Sequence, residues 1–299
     1  MSYKLSNASS IFVFSNKNEP ALKIKSGEVV EIETKDCFSD QVKKEEDIIS
    51  SMDWDKVNPV TGPIYVEGAK KGDALKVILQ KIVLKKRGVL ATGKDMGVLG
   101  DKLDRLYSKV VDIKDGKVIF DDKLEIPVKP MIGVIGVAPD GEGINCGTPG
   151  SHGGNMDNTM IGEGAVLYFP VFNDGAYFAL GDIHAVMGDG EVGVSGVEVG
   201  AFVTVKLEVI KGLKLNNPLL ENDSAIAAIA SAENIDKALD AAIHDFQELV
   251  SARIDLSLKD ISMLFSVVGD AQICQIVDPL KTARFVVPKW VLNKYGFVL

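Results

Sequence analysis

Two glycine-rich segments hold residue types that bind metals and move protons. The first reads Pro149-Gly150-Ser151-His152-Gly153-Gly154-Asn155-Met156-Asp157, and the second Gly181-Asp182-Ile183-His184-Ala185-Val186-Met187-Gly188-Asp189-Gly190-Glu191. The whole sequence has three histidines, so finding two of them in this company is informative. Imidazole and carboxylate groups ligate metals and exchange protons near neutral pH. Glycine lets the backbone turn sharply and approach a small ligand. If the two segments meet in space, they form a compact metal or hydrolytic site. The plainer readings are a solvated acidic loop for the second segment and, for the first, a turn whose polar side chains satisfy their own backbone.

The elements that must position these residues are mostly strands. Tyr177 to Leu180 leads into the second segment. Continued as a strand, it puts Asp182 and His184 on one face and sends Ile183 and Ala185 into a core. Asp189 and Glu191 have the same spacing in the glycine-rich turn beyond. Alternation predicts further strands over 28–34, around Leu75 to Leu79, and over 201–210. Lys114-Asp115-Gly116 and Asn173-Asp174-Gly175 read as hairpin turns, the latter joining strands 165–172 and 177–180. After Asn217-Pro218 the period changes. Asn234 caps a helix through Ile235, Leu239, Ala242, Phe246 and Leu249, and Ser257 with Asp260 opens a second ending near Gly269. Segments 273–277 and 284–287 read as strands, the latter ended by Pro288. The expected fold is mainly β with an α+β C-terminal part: a β-rich region 1–217 carrying the site loops and a helix-containing region 218–299, together able to form one integrated domain.

Several signals are set aside. His244 lies on the polar side of its helix and reads as a surface residue. Gly188-Asp189-Gly190-Glu191-Val192-Gly193 matches a dinucleotide fingerprint but is followed by β-formers rather than a helix. There is no nucleophile elbow of the G-x-S-x-G type. Cys146 reads as a small packing residue. A second, oxygen-ligated cation near Asp36, Asp40, Asp53 and Asp55 has no support from spacing.

A net charge of −9 across 299 residues argues against a nucleic-acid partner and against anionic membranes. No apolar run approaches the roughly 18 residues of a membrane span, and the first residues lack a secretory signal pattern. Three scattered cysteines suggest neither a disulfide framework nor a cysteine-type zinc site. A cytoplasmic location is the expectation.

Beyond these segments, Asn58-Pro59-Val60-Thr61-Gly62-Pro63-Ile64-Tyr65-Val66-Glu67-Gly68-Ala69, Gly133-Val134-Ile135-Gly136-Val137-Ala138-Pro139 and Gln275-Ile276-Val277-Asp278-Pro279 complete a set spread over nearly the whole chain. With His152-Gly153-Gly154-Asn155 and Gly181-Asp182-Ile183-His184-Ala185, the chain resembles the acetamidase/formamidase family. The resemblance implies a sandwich-like β fold in the N-terminal part, a homodimer or higher homo-oligomer, a bound divalent metal, and hydrolysis of a short-chain amide to carboxylate and ammonia. Zinc is the first choice of metal, with calcium at the same or a second site as the alternative.

For that chemistry His152, Asp157 and His184 are the leading metal ligands, with Asp182 as a fourth or as their orienter. Glu191 is the leading general base, with Asp189 and Glu142 as alternatives. Asn155 or backbone N–H groups would face the oxyanion. Two rival classes are a metal-stabilised β-sandwich that binds a small ligand without catalysis, and a cupin-like metalloenzyme. The cupin pattern needs a second histidine close to His184, which the sequence lacks.

Overall fold

The computed structural model describes residues 2–44 and 52–299. Among them, two large sheets face each other. The first has nine strands in the order Ser2–Leu5, Val29–Glu33, Ala201–Ile210, Ala74–Leu84, Val166–Pro170, Leu219–Glu221, Ala225–Ala232, Lys281–Pro288 and Asp270–Gln275. The second has eleven, and its centre is Phe178–His184, flanked by Met131–Gly136, Val60–Glu67 and Glu198–Val199.

Alternation explains the packing. In Ala201–Ile210 the side chains of Ala201, Val203, Val205 and Leu207 are buried, while Phe202 is exposed on the opposite face. They meet Ile64, Ile132, Ile135, Phe178, Leu180 and Ile183 from the other sheet in one sandwich core. Ala225–Ala232 feeds two cores. Ala225, Ala227 and Ile229 point into the sandwich, whereas Ile226, Ala228 and Ala230 lie under the helices. Helix Ile235–Ser251 covers that outer face with Ala242, Phe246, Leu249 and Val250. Strands from the N-terminal and C-terminal parts therefore share one sheet.

The expected helix caps form. The Asn234 side chain accepts from Lys237 N at 2.9 Å and Ser257 Oγ accepts from Asp260 N at 3.3 Å, opening Ile235–Ser251 and Leu258–Val268. Lys114 and Lys117 pair around Asp115-Gly116, both at positive φ as a two-residue hairpin requires. The turn at Asn173-Asp174-Gly175 differs from expectation. Val166–Pro170 pairs within the first sheet and Phe178–His184 within the second, so this turn carries the chain across the sandwich. Asn173 is held there by the carbonyls of Ala138 and Pro139. Pro288 does end its strand, but it opens a short unanticipated helix, Lys289–Lys294. None of the described helices is long and apolar enough to cross a membrane.

Candidate active site

The central strands of the second sheet assemble the site. Phe178–His184 runs antiparallel to Met131–Gly136, with Ile183 opposite Ile132 and Gly181 opposite Val134. Asp182 thus stands across from Gly133. On its other side His184 lies directly opposite Glu198 in the short strand Glu198–Val199. After the strand Gly153–Asn155 the chain folds back over the same glycine, and the amides of Met156 and Asp157 both donate to Gly133 O. Gly133 is therefore the floor on which Asp157 and Asp182 rest. A Cβ there would fall 2.4 Å from Asp182 Oδ2 and 2.5 Å from Asp157 Oδ1.

Two loops close the site. Glu191 is carried by a turn fastened to the C-terminal part, where Gly190 N donates to Cys274 O at 2.7 Å and Ile276 N to Gly190 O at 3.2 Å. The buried Gln275 side chain accepts from the amides of Val277 and Asp278, which places Asp278 beside Asn155. Asn155 Nδ2 donates to Asp278 Oδ2 at 2.9 Å. Asp157, Asp182 and Glu191 have φ of 42°, 55° and 48°. Left-handed backbone is uncommon outside glycine, and it clusters where surrounding structure enforces a functional geometry.

The result is a buried, acid-rich centre around one imidazole. His184 Nε2 lies 3.0 Å from Glu198 Oε2, 3.5 Å from Asp182 Oδ1 and 4.0 Å from Asp157 Oδ1. Both Asp157 oxygens, Asp182 Oδ1, Glu198 Oε2, Asn155 Oδ1 and His184 Nδ1 are buried without a hydrogen-bond partner in the protein. Buried polar groups are normally satisfied, so this concentration points to a ligand.

The ionisation behaviour follows from crowding. Burial pushes Asp157 up to about 6 and Glu198 up to about 8. Burial, then repulsion from Asp157, raises Glu191 and Asp278 well above the carboxylate range. Burial alone would depress His184, but Glu198 and Asp182 outweigh it and hold the ring well above its usual value. Burial likewise opposes ionised Asp182, and His184 outweighs it and keeps that carboxyl low.

A cavity of about 130 Å³ opens onto this centre, walled by Phe38, Trp54 and Met96 and floored by Asn155, Glu191 and Glu198. A larger cleft of about 520 Å³ lies beside helix Ile235–Ser251, around Asn217 and Asp245. No residue lining it has a buried, unsatisfied side-chain atom, so the smaller cavity is where the chemistry collects.

Asn155, Asp182 and Glu191 line this cavity, Asp157 and His184 join them in the adjoining acid cluster, and three other candidates lie elsewhere. His152 is fully buried in a glycine cradle formed by Gly150 and Gly154, with its ring edge-on to Phe14 at 5.2 Å. Burial pushes it down to about 4. It is absent from the groups of described residues whose ligand atoms lie within 4.8 Å of one another. Asp189 turns away to Arg284 Nη2 at 2.6 Å and Thr159 Oγ1 at 2.7 Å. Glu142 sits on the surface with its nearest ion-pair partner, Lys17, at 3.4 Å. The early acidic residues do not assemble a cation site either. Asp36 and Asp40 bond each other's backbone amides, and Asp53 pairs with Lys56.

Three site residues escaped the sequence reading: Cys37, Glu198 and Asp278. Glu198 left a signal, because a lone acid between Val197 and Val199 in a β-forming run must face the other way from both. Asp278 was visible only within a family-like segment. Cys37 left none.

The sequence profile of the Acetamidase/Formamidase family matches residues 14–145 and 141–233. The chain is 61% identical to a predicted acetamidase/formamidase of known crystal structure from Thermoanaerobacter tengcongensis, covering 100% of this chain and 99% of that one with a TM-score of 0.99. It is 44% identical to an acetamidase from Bacillus halodurans, covering 98% and 100% with a TM-score of 0.96. A putative formamidase from Schizosaccharomyces pombe is 24% identical over 258 residues, and the match spans 64% of this chain and 62% of that relative.

Proposed function

Because the chain belongs to the acetamidase/formamidase family, we propose that its buried acid–imidazole centre hydrolyses a short aliphatic amide, of formamide or acetamide type, to the carboxylate and ammonia. The observation that carries this reading is the small cavity ending on unsatisfied acid groups. Its volume of about 130 Å³ has room for about four waters at roughly 30 Å³ each, the scale of a molecule with three or four heavy atoms.

The donor set fits a divalent cation. Asp157, Asp182 and His184 converge: both acids carry buried oxygens without a partner, and His184 Nε2 faces them. One imidazole among carboxylates suits zinc first, and an oxygen-rich shell also admits calcium. Such an ion would supply Lewis acidity toward the carbonyl oxygen and make a nearby water more acidic.

The chain's own residues do the rest. Glu191, at the cavity floor and carried by a braced turn, is placed to take the proton of the attacking water. It then returns that proton to the amide nitrogen as the C–N bond breaks, so that ammonia leaves rather than amide anion. Its raised proton affinity, from burial and from Asp157, suits it to hold the proton between the two steps. The Asn155 amide nitrogen is engaged by Asp278, so in place of the oxyanion role expected from the sequence its unpartnered Oδ1 is assigned as an acceptor for an amide N–H of the substrate. Phe38, Trp54 and Met96 keep bulk water away and limit the acyl chain. The family reading also carries a homo-oligomeric assembly, which light scattering checks.

The test is ammonia release from formamide, acetamide and a longer amide by chelated and metal-reconstituted protein. Release is expected for the short amides, declining as the acyl chain grows, lost on chelation and restored by zinc. Absence of ammonia from every short amide after reconstitution refutes the reading and leaves a ligand-binding sandwich.

A further inference from the structure

Two triplets of ligand atoms stand side by side in this centre. Asp157, His184 and Glu191 form one, and Cys37, Asp182 and Glu198 form the other, with the atoms of each within 4.8 Å of one another. His184 Nε2 joins them, 3.5 Å from Asp182 and 3.0 Å from Glu198. We propose that the site holds two divalent cations, the second on the Cys37 sulfur and the carboxylates of Glu198 and Asp182. This deepens the amide-hydrolase reading and takes the first ion, on Asp157, Asp182 and His184, from it.

Three observations support the second position. The first is donor number. A catalytic zinc typically takes three protein ligands, yet Cys37, Asp157, Asp182, His184, Glu191 and Glu198 all converge here. The second is satisfaction. Asp182 Oδ1 and Glu198 Oε2 belong to side chains 3% and 2% exposed, and neither has a hydrogen-bond partner in the protein. Their approach to His184 is close in distance without the geometry of a hydrogen bond, so the ring does not account for them both. The third is charge. Asp157, Asp182, Glu191, Glu198 and Asp278 crowd one buried space around a single imidazole, and ionised groups taken out of water need compensation. With these carboxylates and the Cys37 thiolate ionised, one dication leaves most of that negative charge unbalanced, whereas a second offsets the greater part of it.

The sulfur also sets the metal class. Thiolate beside carboxylate selects zinc-type ions over calcium. Cys37 binds by giving up its S–H proton to solvent, as thiol ligands do. The competing description is a cysteine that merely packs, since Cys37 also touches an apolar cluster with Phe38, Val42 and Val89.

The test uses metal-free full-length protein titrated with cobalt(II), with elemental analysis of the zinc-reconstituted protein in parallel. Two equivalents of zinc per chain are expected, and a thiolate-to-cobalt charge-transfer band should accompany one of the two cobalt equivalents. Cys37→Ser should lose that band and one equivalent while retaining its circular dichroism, and Cys146→Ser and Cys274→Ser should lose neither. Glu198→Gln provides the same stoichiometric test if Cys37→Ser fails to fold. One equivalent in the wild type, or a band that survives Cys37→Ser, overturns the proposal. Ammonia release from the same samples separates the two readings. Hydrolysis with one ion removes only the second ion, and two ions without hydrolysis remove only the amidase reading.

Discussion

Gly133→Ala offers the sharpest test of how the site is built. Glycine is needed here for space rather than for backbone freedom, because Gly133 is not among the glycines at positive φ. An alanine Cβ would stand 2.4 Å from Asp182 Oδ2, 2.5 Å from Asp157 Oδ1 and 3.1 Å from the Asp182 carbonyl oxygen. Relaxed C···O contacts lie at about 3.3 Å, so each carboxylate would have to retreat by roughly 0.8 Å. Retreat is obstructed. Both side chains are buried, and the amides of Met156 and Asp157 are tied to Gly133 itself. Overpacking of this kind costs about 1–3 kcal/mol. Misplacing reactive groups by about 1 Å costs on the order of 100-fold in rate. The assay is steady-state ammonia release with metal content and thermal unfolding measured on the same preparation. kcat/KM should fall about 100-fold with weakened metal retention, while the protein still unfolds cooperatively a few degrees lower. Gly193→Ala, where a Cβ meets open space, should do neither. Full kcat/KM and unchanged metal content in Gly133→Ala would refute the placement of Asp157 and Asp182 at the reacting centre.

Arg284 ties together the loops that carry Asp157 and Glu191. It is 4% exposed and donates to Asp189, to Asn158 next to Asp157, and to Gln272. Arg284→Met should cost about 3 kcal/mol, the low end for a broken buried pair because Asp189 is exposed; denaturant melts and metal affinity check this, and both should fall. Glu191→Gln should lower kcat by about 10²–10⁴, the scale of a general base, and Glu142→Gln should leave kinetics unchanged. His152 makes stability depend on pH. Its folded-state value of about 4 lies below the usual 6.5, so the unfolded chain takes up the proton first. Its contribution is complete above about 6.5 and is lost as pH falls toward 4. Between pH 7 and 4.5 that amounts to roughly 2 kcal/mol, and urea midpoints should show His152→Phe to lack this component.

Local pattern made much of the architecture legible. The period of 201–210 gave a strand with its buried face, and Asn234 and Ser257 marked both long helices. The spacing of Asp182 and His184 gave their shared face, because period-2 geometry is a property of a single strand. Sheet order is not such a property. Asn173-Asp174-Gly175 has hairpin composition, yet it bridges two sheets because each flanking strand finds a better partner elsewhere. The same limit hid Cys37 and Asp278, which reach the site only through chain crossings far from His184 in sequence. Asp189 and Glu191 share one face by spacing, with Glu191 the leading base and Asp189 an alternative, and the buried Arg284, contributed by a distant strand, separates them by claiming Asp189. His152 shared a glycine-rich segment with Asp157, but the intervening strand Gly153–Asn155 and the cradle beside Phe14 hold its ring apart from the acid cluster.

The most direct measurement is ammonia release from acetamide by zinc-reconstituted wild type and by His184→Ala, with circular dichroism recorded on both. The predicted result is steady ammonia production by the wild type and none above background from a folded His184→Ala. Undiminished release by that variant would contradict a catalytic centre built around His184.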